Sequence, residues 1–164
     1  MTFSYFAYGS NMLSKRIHIN APSATRIGIG RLDDYDLTFM TYVHSWKGAV
    51  ATIVPRGDAC VWGVIWNISV EHLAHLDRQE GVKHNFYFPL YVDVVLPDGT
   101  KRNCRTYMQT ACKSHNSVLD VKNLPSNRRP SLKYLMVMIK GGQEANLPLD
   151  YQEYLNGIPH NGND

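Results

Sequence analysis

No run of apolar residues in this sequence approaches the roughly 18 that a membrane-spanning helix needs. The first residues, Met1 to Asn11, have neither a basic start nor an apolar stretch, so no secretory leader is read there. Charge is sparse and mixed: Asp, Glu, Lys and Arg make up 19% of the chain and the net charge is +3. Adjacent basic residues come only as pairs, Lys15–Arg16, Lys101–Arg102 and Arg128–Arg129, with the rest single, which excludes the basic stripe of a nucleic-acid binder. The three cysteines, Cys60, Cys104 and Cys112, lack C-x-x-C spacing, which speaks against a disulfide framework or a zinc site. They are expected to be reduced, small apolar fillers in a cytoplasmic protein. No internal repeat, linker or G-x-S-x-G elbow is present, so Ser10 has no sign of an activated nucleophile. Glu71, His72 and His75 resemble a ligand cluster, but no further ligand stands at a recognisable spacing, so they read as surface residues and no metal is expected.

The chain has 164 residues, of which 44% are hydrophobic, enough for one domain with a core and a pocket. The domain is expected over 1–158, with 159–164 a disordered tail. Ser4 to Tyr8 reads as a short buried strand ended by Gly9. A short helix follows from Ser14, as N-cap, to Asn20. Arg26 to Phe39 reads as a strand bent at Gly28 and Gly30. Gly48 to Val54 and Cys60 to Ile68 read as a hairpin around Pro55-Arg56-Gly57-Asp58. Ser69 caps a helix with Val70, Leu73, Ala74 and Leu76 on its apolar face, stopped by Gly81. Phe86 to Leu96 and Lys101 to Met108 form a second hairpin around Pro97-Asp98-Gly99. Asn116 to Asn127 is a polar loop. Pro130 opens a helix carrying Leu132, Leu135, Met136 and Ile139 that stops at Gly141-Gly142, and Pro148 to Leu155 forms a last short helix. Short strands mixed with helices, without βαβ alternation, give an α+β domain around a small barrel.

Two features carry chemistry. Tyr8-Gly9-Ser10-Asn11 follows a buried strand, where consecutive N–H groups and the Ser10 and Asn11 side chains can gather around an anion. The same residues also suit an ordinary strand-ending turn. Glu80 shares the apolar face with Leu73 and Leu76 and sits in the last helical turn, where the dipole disfavours negative charge. Burial and dipole would both raise its pKa. A frayed helix end with Glu80 in water is the equal alternative. Tyr87, Tyr107 and Tyr134 can line a pocket or simply pack.

Tyr5-Phe6-Ala7-Tyr8-Gly9-Ser10-Asn11 resembles the signature of γ-glutamylcyclotransferases. Trp46 to Ile53, Val61-Trp62-Gly63-Val64, Leu76-Asp77-Arg78-Gln79-Glu80-Gly81-Val82 and Leu147 to Gln152 are similar to segments of that family in the same order. The likeness spans about Ser4 to Leu155. It implies a small mixed β-barrel with flanking helices and an enzyme that cyclises γ-glutamyl amino acids to 5-oxoproline. Glu80 would be its acid/base. Tyr5, Phe6, Ala7, Tyr8, Gly9, Ser10 and Asn11 match the substrate-binding segment, and Tyr134 matches a pocket tyrosine. Tyr87 and Tyr107 match positions near the pocket wall. The family implies a homodimer acting on a small γ-glutamyl molecule, with no cofactor. The alternatives are a γ-glutamylamine cyclotransferase and a non-catalytic small-molecule binding module.

Overall fold

A computed structural model of the chain describes residues 1–114 and 119–164. Its strands are β1 (Thr2–Ala7), β2 (Thr25–Val43), β3 (Gly48–Ser69), β4 (Tyr87–Val95) and β5 (Lys101–Gln109). They close into a barrel in the order β1-β3-β2-β4-β5. Neighbours are antiparallel except β1 and β5, which meet in parallel at Tyr5 and Arg105, so the expected small mixed barrel is what forms. The helices are α1 (Ser14–Asn20), α2 (Leu73–Gln79), α3 (Leu132–Glu144) and α4 (Leu149–Asn156).

β1 is buried on both faces at its end, with Tyr5, Phe6 and Ala7 all inside, as its unbroken apolar run requires. Phe6, Phe39, Ile53, Ile65, Trp66 and Tyr107 are among the largest fully buried side chains. Each such burial contributes about 2–3 kcal/mol. β2 is longer than expected and bends where its register against β3 shifts, at Arg26/Gly28, Asp33/Tyr35 and Met40/Tyr42.

The hairpin expected at Pro55–Asp58 does not exist. β3 runs through the segment and both of its halves pair with β2, Pro55 opposite Tyr35 and Cys60 opposite Asp33. Residues 56–59 bulge out there, and Asp34 and Asp58 take positive φ to allow it. The real β2–β3 turn is at His44–Lys47, where the Trp46 and Lys47 amides return to the Val43 carbonyl. The β4–β5 hairpin forms as expected, with Gly99 at φ 87°. Cys104 and Cys112 are buried, but Cys60 is exposed beside the bulge and fills no core space.

Three helical expectations are corrected. Leu13, not Ser14, is the cap of α1; the Ser14 amide and hydroxyl both bond Glu144, each at 2.9 Å. The segment after Ser69 starts as a 3-10 turn (Val70–His72), whose tighter winding takes Val70 off the helical face. Val70 and Ala74 are exposed, Leu73 is half-buried, and only Leu76 of the expected face is fully inside. Pro130 precedes the cap of α3, Ser131, whose hydroxyl accepts from the Tyr134 amide. α3 then runs through Gly141 and Gly142 instead of stopping, because it lies against the turn after β1. A Cβ on Gly141 would sit 2.8 Å from the Leu13 nitrogen and 2.8 Å from the Met12 Cβ.

Of the polar loop expected at 116–127, residues 116–118 lie outside the described residues; its later part forms short 3-10 turns at Val121–Asn123 and Ser126–Arg128. The residues read as a tail are tied to the molecule. The Asn161 and Asn163 side chains donate to the Lys47 carbonyl, and the Asn161 amide donates to the Pro130 carbonyl. No helix of the described residues is long and apolar enough to cross a membrane.

Candidate active site

β1 ends at Ala7, and the chain turns through Gly9 into a 3-10 turn, Ser10–Met12, above the barrel mouth. Gly9 has a negative φ, so its glycine character answers to space rather than to an unusual backbone. A Cβ there would lie 3.2 Å from the Tyr134 Oη and 3.4 Å from the Ala51 Cβ, tight contacts on both sides. α3 delivers Tyr134 from above and β3 delivers Ala51 from below. α2 ends at Gln79, and Gly81 at φ 63° turns the chain away, leaving Glu80 as the capping residue.

These elements converge on a chamber of about 40 Å³ lined by Tyr5, Tyr8, Gly9, Ser10, Asn11, Ala51, Glu80, Tyr87, Tyr107 and Tyr134. Every residue singled out from the sequence is there except Phe6 and Ala7, which are buried in the barrel core. A second chamber of about 270 Å³ shares Ser10, Glu80, Tyr87 and Tyr134 with the first and extends to Arg16, Trp46 and Gln79.

The two carboxylates of this region differ sharply. The Asp77 carboxylate is gripped by the Arg105 guanidinium at 2.9 and 3.0 Å and accepts the Tyr107 hydroxyl proton. The Glu80 carboxylate has no hydrogen bond or ion pair among the described residues, and Glu80 lines the chamber. Burial first, and the charge of Asp77 second, push its pKa up from 4.5 to about 7. Glu80 therefore exists in both protonation states near neutrality, the condition a proton shuttle needs.

The five tyrosines are not equivalent. Tyr8 donates to the Tyr107 carbonyl at 2.6 Å, Tyr87 donates to the Ala51 carbonyl at 2.6 Å, and Tyr107 donates to Asp77. Tyr5 instead accepts from Asn11 Nδ2, and Tyr134 accepts from the Ala51 amide at 3.1 Å. The hydroxyl protons of Tyr5 and Tyr134 thus remain available to a ligand. Burial raises the pKa of both, so both stay neutral donors.

Asn11 does less for a ligand than its sequence position promised. Its amide is engaged by Tyr5 and by a reciprocal pair with Gln79, and its carbonyl accepts from Trp66 Nε1. It is a brace between β1, β3 and α2. Sequence reasoning missed Asp77, Arg105, Gln79 and Gln109. Gln109 is fully buried, and the two N–H groups of its Nε2 are shared among the Met40 carbonyl, the Val50 carbonyl and Tyr87 Oη. Of these residues only Asp77 and Gln79 carried a signal, their place on the helix before Glu80. His72, weighed as a metal ligand, bonds Ser23 Oγ through Nδ1 at 2.7 Å.

Fold and site together are a five-stranded mixed barrel whose pocket sets, among tyrosines, a glutamate without a side-chain partner among the described residues. The chain belongs to the AIG2-like family, whose model matches residues 60–155. It is 38% identical to the gamma-glutamylcyclotransferase of Bos taurus and 37% identical to that of Homo sapiens, over 98% of its own length and 80% of theirs. Among solved structures, a gamma-glutamyl cyclotransferase superimposes with a TM-score of 0.86 at 35% identity, covering 98% of this chain and 90% of that one. YkqA of Bacillus subtilis shares the fold at a TM-score of 0.72 and 23% identity, with 97% of this chain and 56% of that one covered.

Proposed function

We propose that this protein is an enzyme that cyclises γ-glutamyl amino acids, releasing 5-oxoproline and a free amino acid, with Glu80 as acid and base. The observation that carries the reading is Glu80 itself: a carboxylate with no protein partner and a pKa near 7, in a tyrosine-lined chamber. Near full-length similarity to named gamma-glutamylcyclotransferases supports the same activity.

The reaction closes a ring within one molecule. The α-ammonium of the γ-glutamyl group first gives a proton to the Glu80 carboxylate. The freed amine attacks the γ-carbonyl carbon, forming a C–N bond and placing charge on the carbonyl oxygen. Glu80 returns its proton to the departing nitrogen as the old C–N bond breaks and the carbonyl re-forms. The ring nitrogen gives up its extra proton through the same carboxylate to the freed amine, leaving a lactam N–H and the amino acid's ammonium. With an ammonium pKa near 8 and an ordinary glutamate near 4.3, the first transfer would be uphill by roughly 5 kcal/mol. A glutamate at about 7 reduces that to roughly 1.4 kcal/mol.

Nucleophile and electrophile share one molecule, so the chamber must chiefly hold a folded conformer. The turn at Gly9–Asn11 holds the α-carboxylate, with Ser10 supplying a hydroxyl. Tyr5 and Tyr134, whose protons are uncommitted, are the donors for the carbonyl oxygen as it gains charge. Tyr8, Tyr87 and Tyr107 shape the wall around them, and Phe6 and Ala7 support it from the core. No metal or organic cofactor is needed by these steps. We further read the protein as a cytoplasmic homodimer with neither nucleic-acid nor membrane partners; light scattering on purified protein tests the dimer.

The experiment is 5-oxoproline release from γ-glutamyl-alanine, with Glu80→Gln alongside. Release by the wild type and at least about a hundredfold less by the variant is expected. Equal release by both would remove Glu80 from its role, and no release by either would remove the reaction.

A further inference from the structure

The larger chamber has a second charged end that the cyclisation steps leave unused. It is lined at one side by Gln79, Glu80 and Tyr87 and at the other by Arg16, Ser45 and Trp46. A further hollow of about 170 Å³ continues past Arg16 and Trp46 to Lys133. Arg16 comes from α1, Trp46 from the β2–β3 turn and Lys133 from α3, so three separate elements build this rim.

The rim is cationic and has no counter-ion among the described residues. The Arg16 guanidinium lies 4.9 Å from the centre of the Trp46 ring, and Lys133 Nζ lies 5.7 Å from the same ring. Trp46 in turn packs edge-on to Tyr134, with ring centres 4.9 Å apart. Among the described residues neither Arg16 nor Lys133 forms an ion pair, and Arg16 Nε is buried without any hydrogen-bond partner. A cation that only stacked on Trp46 would turn its N–H groups to water. Arg16 lines both hollows and its guanidinium has no acceptor among the described residues, so the acceptor it lacks is one that arrives with a ligand. Glu80 is not that acceptor, since it pairs with neither cation.

We propose that Arg16, held on Trp46 and assisted by the field of Lys133, binds the carboxylate of the departing amino acid. The inference rests on the cyclotransferase reading above and selects within it. A γ-glutamyl amino acid has a carboxylate one carbon beyond the scissile nitrogen, on the far side of that bond from the γ-glutamyl group. A γ-glutamyl amine has nothing there. The inner chamber would then take the γ-glutamyl group while the outer one reads the leaving group by its charge. Planar guanidinium against carboxylate is the geometry best suited to that task.

The test compares kcat/KM for γ-glutamyl-alanine with that for γ-glutamyl-alaninamide, which has nearly the same shape and no charge at that position. The wild type is expected to favour the acid by about tenfold or more, as for a hydrogen bond to a charged group. Arg16→Met, which keeps an apolar stem on Trp46, should bring that ratio close to one. Lys133→Met should lower it by a smaller factor, and Arg16→Lys should restore part of it. Unchanged thermal unfolding of the variants separates these effects from misfolding. A wild-type ratio near one, or an Arg16→Met ratio equal to the wild type's, overturns the subsite while leaving the cyclisation in place. Absence of release from both compounds by the wild type overturns the cyclisation and the subsite with it.

Discussion

Asp77 and Glu80 stand one helical turn apart, yet Asp77 is held in an ion pair by Arg105 while no side chain among the described residues holds the Glu80 carboxylate. The pairing has two effects on Glu80. It anchors the end of α2 to β5, compensating for a helix with a single fully buried apolar side chain, Leu76. It also keeps a negative charge close enough to raise the Glu80 pKa. The kcat/KM profile should therefore fall on the acid side with a midpoint near pH 7, and Glu80→Gln should lose about a hundredfold to ten-thousandfold in rate. A flat profile from pH 5 to 8 would contradict the assignment.

Asp77→Asn removes that neighbouring charge and leaves Arg105 unpaired. The Glu80 pKa should drop, so the acid limb of the rate profile should move to lower pH. Stability should also fall, by about 2 kcal/mol, less than for a fully enclosed pair because the Asp77 side chain is 29% exposed. An acid limb that stays in place, read from initial rates across pH, would show that Asp77 acts on structure alone.

Glu80 has a consequence for folding as well as for rate. Its folded-state pKa, about 7, lies above the unfolded value of 4.5, so between these the native state binds more protons. The stability lost to Glu80 is absent below pH 4.5, grows as pH rises to 7, and is constant above. Glu80→Gln should remove that loss and be more stable than the wild type at pH 8 by up to about 3 kcal/mol. Urea unfolding of both proteins at pH 5 and pH 8 reads the difference directly, and a gap that does not widen with pH would refute it.

The tyrosines divide into two groups by where their protons point. Tyr134→Phe removes a proton open to the ligand and should lower kcat about a hundredfold or more, and by leaving the Ala51 amide without its acceptor it should also cost about 1–2 kcal/mol of stability. Tyr87→Phe breaks a buried bond to the Ala51 carbonyl and should cost about 1–2 kcal/mol in urea unfolding. A loss of kcat in Tyr87→Phe with none in Tyr134→Phe would mean that Tyr87, not Tyr134, meets the substrate.

Gly141→Ala pits two effects against each other. Alanine favours the helix interior by about 1 kcal/mol. The added methyl would press on backbone at Leu13 and on Met12, at 2.8 Å, and overpacking costs about 1–3 kcal/mol. The clash falls on backbone, which yields little, so the variant should be less stable and have a higher KM through displacement of the Ser10–Met12 turn. A higher Tm with unchanged KM would show that the turn gives way freely.

What the sequence displayed and what it hid divide along physical lines. β1, the span of α1, the β4–β5 hairpin and the odd placement of Glu80 were legible because each is written in adjacent residues. The course of β3 was not: Pro55-Arg56-Gly57-Asp58 has the composition of a turn, and only the single unpaired residue opposite, Asp34, makes it a bulge. Gly141-Gly142 has the composition of a stop, and close approach to Met12 and Leu13 overrides it. Arg105 and Asp77 are 28 positions apart, and a lone arginine on a strand looks like surface. The family resemblance supplied the pocket tyrosines, but not which of them hold their protons for a ligand.

The wall of the inner chamber is fastened to the barrel at several points. Tyr87 bonds to the β3 carbonyl at Ala51, Tyr8 to the β5 carbonyl at Tyr107, and Tyr134 receives the Ala51 amide. The cavity wall is therefore tied to the sheet, including where α3 completes it through Tyr134. Its shape persists for as long as the strands stay paired, so heat should end activity and unravel the molecule in a single event, without an interval in which a folded protein has lost its pocket.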